Sequence, residues 1–126
     1  MKNKVQMEYS LNVSPQILFT RLSTPSGLAE WFADDINVWD NYYTFIWSGT
    51  EQKAEMLHKK KNKYIRFKWV NDEDADSFFE FRIHQDELTG DVALIITDFA
   101  DDGEKEDIQE LWNTQITDLK NALGAN

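Results

Sequence analysis

No cysteine occurs among the 126 residues, histidine occurs twice, and proline stands only at positions 15 and 25. Without cysteine there is no disulfide scaffold and no thiolate chemistry. The two histidines, His58 and His84, show no Asp-x-His or His-Glu spacing that suggests a metal site, and both read as surface residues. No Gly-x-Ser-x-Gly elbow and no evident Ser–His–Asp set supports nucleophilic catalysis. Positive charge is also scarce, with 13 Lys and Arg against 23 Asp and Glu, a net charge of −10. Nucleic acid and anionic membrane surfaces attract basic proteins, so neither is an expected partner. No run approaches the roughly 18 apolar residues of a membrane helix. Met1–Val5 lacks the apolar stretch of a signal peptide, and a cytoplasmic protein is the expectation.

Aromatic rings, by contrast, are plentiful: five Trp, eight Phe and four Tyr. The length suits one domain, residues 1–126, with a single core. Both prolines do the same job. Ser14-Pro15 and Thr24-Pro25 each place a hydroxyl cap before a proline at the first helical position. The cap oxygen satisfies orphan N–H groups, and proline gives up a donor that a helix start does not need. Two short helices are predicted back to back, the second presenting Leu28, Trp31 and Phe32 on one face.

Around them the chain alternates. Val5, Met7, Tyr9 and Leu11 share one face of a first strand over 4–12. Strand-like runs follow at 36–39, 42–47, 51–58, 63–70 and 77–85, with Tyr43, Phe45, Trp47, Ile65, Phe67, Trp69, Phe79, Phe81 and Ile83 on one face. Val92–Phe99 is the most apolar run and predicts a central strand. Short connections make this an antiparallel meander. A helix from about Glu104 to Leu123 offers Ile108, Leu111, Trp112, Gln115, Ile116, Leu119 and Leu123 as its inward stripe. Acidic residues crowd its start, and Gly124 ends it.

This order, together with the segment Leu22-Ser23-Thr24-Pro25-Ser26-Gly27-Leu28-Ala29-Glu30-Trp31-Phe32 and the late Trp112, Leu119 and Leu123, resembles the START-like (SRPBCC, birch-pollen-allergen-like) superfamily. The branch it resembles most is that of homologues of the activator of heat-shock-protein-90 ATPase. The resemblance implies an α+β helix-grip fold over the whole chain. A curved antiparallel sheet of about six to seven strands would wrap a long C-terminal helix, with two short helices after the first strand closing one end. It also implies a cavity between sheet and helix that holds small hydrophobic or amphipathic molecules in many members. The full chaperone activators carry an additional N-terminal domain that has no counterpart in this sequence.

From these readings the expected function is a ligand-binding or carrier domain. The candidate site is formed by Trp31, Phe32, Trp47, Phe67, Trp69, Phe81, Trp112 and Ile116, with Trp31 and Phe32 as its gate. The same rings could instead fill the space as a solid core. Alternatives are a protein-interaction module of co-chaperone type, docking on a chaperone or another protein, and, ranked last, a cyclase- or hydrolase-like enzyme. No catalytic residue, metal or cofactor is expected, and the chain is expected to be a monomer or weak dimer. Asp72, Asp74 and Asp76 mimic the start of a calcium loop, but positions six and twelve are Ser77 and Ile83 rather than glycine and glutamate. Lys59, Lys60, Lys61, Lys63, Arg66 and Lys68 form a small basic island, read as a hairpin tip and outer strand face paired with glutamates. Asp98 could be a lone acid in the cavity, although a strand-end position at the rim is expected. Trp39, Ile46 and Phe78 are expected on the outer face.

Overall fold

The computed structural model describes residues 2–124. Seven strands form one antiparallel sheet: β1 (Lys2–Leu11), β2 (Asp35–Trp39), β3 (Tyr42–Trp47), β4 (Thr50–Lys60), β5 (Tyr64–Trp69), β6 (Phe79–Gln85) and β7 (Val92–Asp101). Their order is β1-β7-β6-β5-β4-β3-β2, a meander from β2 to β7 closed at the far edge by β1. β7 is therefore not central but second from an edge, flanked by β1 and β6. Its outward residues are covered without a central position: Thr97 is buried and receives a hydrogen bond from Gln6 of β1.

Turn chemistry sets the registers. Ser48 and Gly49 both have positive φ, which supplies the twist of a two-residue hairpin and pairs Trp47 with Thr50. A register shift between Met56 and His58 interrupts the β4–β5 ladder, leaving Leu57 outside it and bending the sheet.

Helices α1 (Pro15–Ser23) and α2 (Pro25–Leu28) carry the chain from one sheet edge to the other. Both caps form as the Ser-Pro and Thr-Pro pairs predict. Ser14 Oγ accepts the Ile17 amide at 3.2 Å, and Thr24 Oγ1 accepts the Gly27 amide at 3.0 Å. α2 is a single turn, so Trp31 and Phe32 lie beyond it, on turns held by their amides donating to the Leu28 carbonyl. Gly27 is required by space. A Cβ there would sit 2.2 Å from the Thr20 carbonyl oxygen and 2.8 Å from Arg21 Cα.

Helix α3 (Lys105–Leu123) leaves the end of β7 and runs back across the inner sheet face, capped by Gly124 in the left-handed region. Trp112, Ile116 and Leu119 are buried. Leu111, expected inward, is 53% exposed, because the buried stripe is narrower than the apolar pattern suggests. None of the described helices is long and apolar enough to cross a membrane.

The two ends of the sheet differ. α1 covers one end, where β4 and β6 finish and β3 and β5 begin. Its Leu18 and Leu22, with Leu28, Ile65, Leu94 and Leu119, have no exposed surface. Here Tyr43 Oη donates to the Ser23 carbonyl at 3.0 Å and Trp31 Nε1 to the Arg21 carbonyl at 2.8 Å, so these two buried donors are paired. At the other end β3, β5 and β7 finish, α3 begins, and the packing is incomplete.

Candidate functional site

At this open end a cavity of about 560 Å³ lies between the sheet and the first half of α3. That volume is within the usual range of small-molecule sites. Strand alternation supplies its apolar wall. Trp47 and Trp69 continue the inward rows of Phe45 and Phe67 by one more residue each, past the point where α3 can cover them, and stay half-buried. Phe32 forms the inner wall. It stacks on Trp112 at 5.7 Å between ring centres and meets Trp47 edge-on at 5.4 Å. Trp47 Nε1 in turn donates to the Phe32 carbonyl at 2.6 Å, which ties this wall to the sheet. α3 contributes Ile108 and Leu111 opposite.

Thr50 and Gln52 of β4 and Gln115 of α3 add neutral polar groups, and the charged groups come from three further segments. Asp98 has the inward parity of Leu94 and Ile96, and it is an inner-face residue as well as a strand-end one. One carboxylate oxygen accepts Trp112 Nε1 at 2.8 Å, the other the Phe99 amide at 2.8 Å. Burial raises its carboxyl above the ordinary aspartate value, against the opposing pull of these two donors and of Lys2. Lys2, at the start of β1, pairs with Asp72 at 3.0 Å. Burial alone would raise the Asp72 carboxyl. Hydrogen bonds from Ser77 Oγ, the Asp74 amide and Lys2 outweigh it and hold the group at about 2.

The Asp72–Asp76 segment is thus a loop organised by its own carboxylates. Asp72 and Asp74 each accept the amide two residues on. Among the described residues no group of three or more His, Cys, Asp or Glu could hold a metal ion. In the basic island, Arg66 pairs with Glu80 at 2.8 Å on the outer face, where Arg82 also reaches it. Lys68 donates to the Asp74 and Ser77 carbonyls, and Lys59, Lys60, Lys61 and Lys63 are exposed around the β4–β5 turn at the closed end. Phe78 lies beneath the Arg66 guanidinium at 3.9 Å, Ile46 is half-buried, and Trp39 is 84% exposed on edge strand β2.

Of the eight candidate residues, Phe32, Trp47, Trp69 and Trp112 line the cavity. Trp31, Phe67, Phe81 and Ile116 are packed in the core beneath or beyond it. Trp31 and Phe32, expected as the gate, are both buried, with Phe32 in the wall of this cavity and both residues lining an adjoining pocket that shares Trp47 and Gln115. Sequence reasoning missed Lys2, Asp72 and Ser77 as lining residues, since their proximity depends on β1 pairing with β7. Asp98 carried a usable signal, its parity with Leu94 and Ile96, but the all-apolar run around it masked the phase.

A family model described as a START-like superfamily domain matches residues 1–125. Among solved structures, BfR322 from Bacteroides fragilis, determined by NMR in solution, is 40% identical over 97% of this chain and 91% of its own, with a TM-score of 0.69. The Aha1 dimer from Colwellia psychrerythraea superposes with a TM-score of 0.80 at 16% identity, covering 96% of both chains. DynU16, a protein in the dynemicin biosynthetic locus, gives 0.78 at 14% identity over 96% of this chain and 47% of its own. The latter two likenesses concern the fold alone. No curated protein matches the sequence. The seven-stranded sheet gripping α3, the two capped helices after β1 and the match along nearly the whole sequence agree: this chain belongs to the START-like superfamily.

Proposed function

We propose that the protein binds a small amphipathic molecule, without catalysis, in the cavity between the sheet and the first half of α3. The observation that carries this reading is the division of the cavity wall. Rings and aliphatic side chains supply the apolar wall, and the charged groups Lys2, Asp72 and Asp98 gather on β1, β7 and the β5–β6 loop. Only the neutral Thr50, Gln52 and Gln115 add polarity elsewhere, a pattern that suits burying an apolar body and orienting a polar head. The half-buried Trp47 and Trp69 support it further, since burying their remaining apolar surface against a ligand is favourable by roughly 25 cal/mol per Å². Asp98, with both oxygens engaged by N–H donors, and Asp72, Ser77 and Lys2, bonded to one another, serve orientation better than turnover.

The test is titration of the full chain with 1-octanol, followed by tryptophan fluorescence. Saturable one-to-one binding is expected, and Ile108→Trp, which fills the cavity from α3, should abolish it. Absence of saturable binding, or equal binding by the filled variant, would overturn the proposal.

A further inference from the structure

We infer that the polar head of the ligand is a protonated amine, so that the cavity is a site for cationic amphiphiles; the inference rests on the binding reading above. It follows from a charge count at the open end. Three charged groups line the cavity: Lys2, Asp72 and Asp98. Lys2 and Asp72 neutralise each other at 3.0 Å. Asp98 has no such partner among the described residues. Its contacts are two neutral N–H donors, one on each oxygen, which is how an ionised, acceptor-only carboxylate is held. A largely buried charge without a counter-ion is costly, and an ammonium group from the ligand supplies what is missing.

The walls favour the same head group. Aromatic rings attract cations through their quadrupole, and Trp47 and Trp69, half-buried, line the same cavity as Asp98. The approach is acidic as well. Asp72, Glu73, Asp74 and Asp76 of the β5–β6 loop, Asp101 at the end of β7, and Asp102 and Glu104 of the following turn outnumber Lys2 and Lys68 at this end. The exposed lysines 59, 60, 61 and 63 sit around the turn at the opposite end. With a net charge of −10, the field at the mouth draws in cations and repels carboxylates. A fatty carboxylate would place its charge beside Asp98 and Asp72, and is selected against by repulsion rather than by shape.

Three probes with one tail separate the head groups: n-octylamine, 1-octanol and octanoate, each titrated calorimetrically into the full chain at pH 7. The amine should bind more tightly than octanol by about tenfold, the scale of one charge-assisted hydrogen bond, and octanoate most weakly. Asp98→Asn should remove that amine-over-octanol ratio, and Lys2→Gln, which leaves Asp72 without its partner, should increase it. Acidification gives an independent readout if Asp98→Asn does not fold. The alkylamine stays charged, as lysine does below about pH 10. The groups facing Asp98 are Lys2 from β1 and Asp72 from the β5–β6 loop, and Asp98 is the one that takes up a proton first on acidification. The amine's advantage should therefore shrink as the pH falls. Octanol or octanoate binding as tightly as the amine would overturn the inference while leaving the binding reading intact, as would a ratio unchanged in a folded Asp98→Asn chain or insensitive to pH. Failure of all three probes to bind would overturn both.

Discussion

At the closed end of the sheet, Leu18, Leu22, Leu28 and Leu119 are sealed from water. At the open end of the same strands, Trp47 and Trp69 keep part of their rings uncovered. The closed end is filled from two elements: α1 lies across the strand ends, and Leu119 from the second half of α3 joins Leu18 and Leu22 in one core. The open end has only the first half of α3, and no helix caps its strands. Polar groups follow the same division. Closed-end donors such as Tyr43 Oη and Trp31 Nε1 are spent on backbone carbonyls. Asp98 at the open end keeps acceptor capacity facing a cavity. Stability and binding thus occupy opposite ends of one sheet, and most of the folding energy need not be disturbed by a site at the other end.

Substitutions can break that contrast, and the closed end should show the largest effects. Leu119→Ala empties a fully buried position and should cost about 2–5 kcal/mol in chemical denaturation. Gly27→Ala comes next: its methyl group meets backbone that cannot step aside, and a loss of about 1–3 kcal/mol is expected. Thr24→Ala removes the α2 cap and should lower stability by about 1 kcal/mol. Leu111→Ala, eight residues before Leu119 on the same helix but facing the open end, should change stability by no more than about 0.5 kcal/mol. An equal loss at positions 111 and 119 would contradict the division into two ends.

The open end should also carry its own pH signature. Asp72 is held at about 2 in the folded chain against 3.8 for the free side chain, so its stabilising contribution is complete above the free value. It is lost as the pH falls from about 4 towards 2, a decline that Asp72→Asn should flatten in thermal melts read against pH. Asp98 has the opposite sign. Its carboxyl is raised by burial, so folding gains from its protonation and loses as the pH rises through the folded value.

Much of the fold was legible because its signals are local. Each Ser-Pro or Thr-Pro pair is a cap within four residues, and strand faces follow from alternation. The inward row of Phe67, Trp69, Phe79 and Phe81 is where alternation places it. Less was legible at the site. Alternation says that Trp47, Phe67 and Phe81 point inward, but it cannot say where α3 stops covering them, and that boundary separates a lining ring from a core ring. Lys2 and Asp72 meet across 70 residues through β1 pairing with β7, which no short-range pattern encodes. The position of β7 was misread for a related reason. Uniform apolarity signals cover on both faces, and here part of that cover comes from Gln6 of β1 rather than from a central place in the sheet.

The five indole N–H groups test the central claim most directly, because they divide between the two ends. In ¹H–¹⁵N correlation spectra of the full chain titrated with 1-octanol, the Trp47, Trp69 and Trp112 indole signals should shift in a saturable way. Those of Trp31, bonded to the Arg21 carbonyl at the closed end, and of Trp39, exposed on edge strand β2, should stay in place. Movement of Trp31 or Trp39 equal to that of the other three, or no saturable shift at any of them, would contradict an open-end binding site.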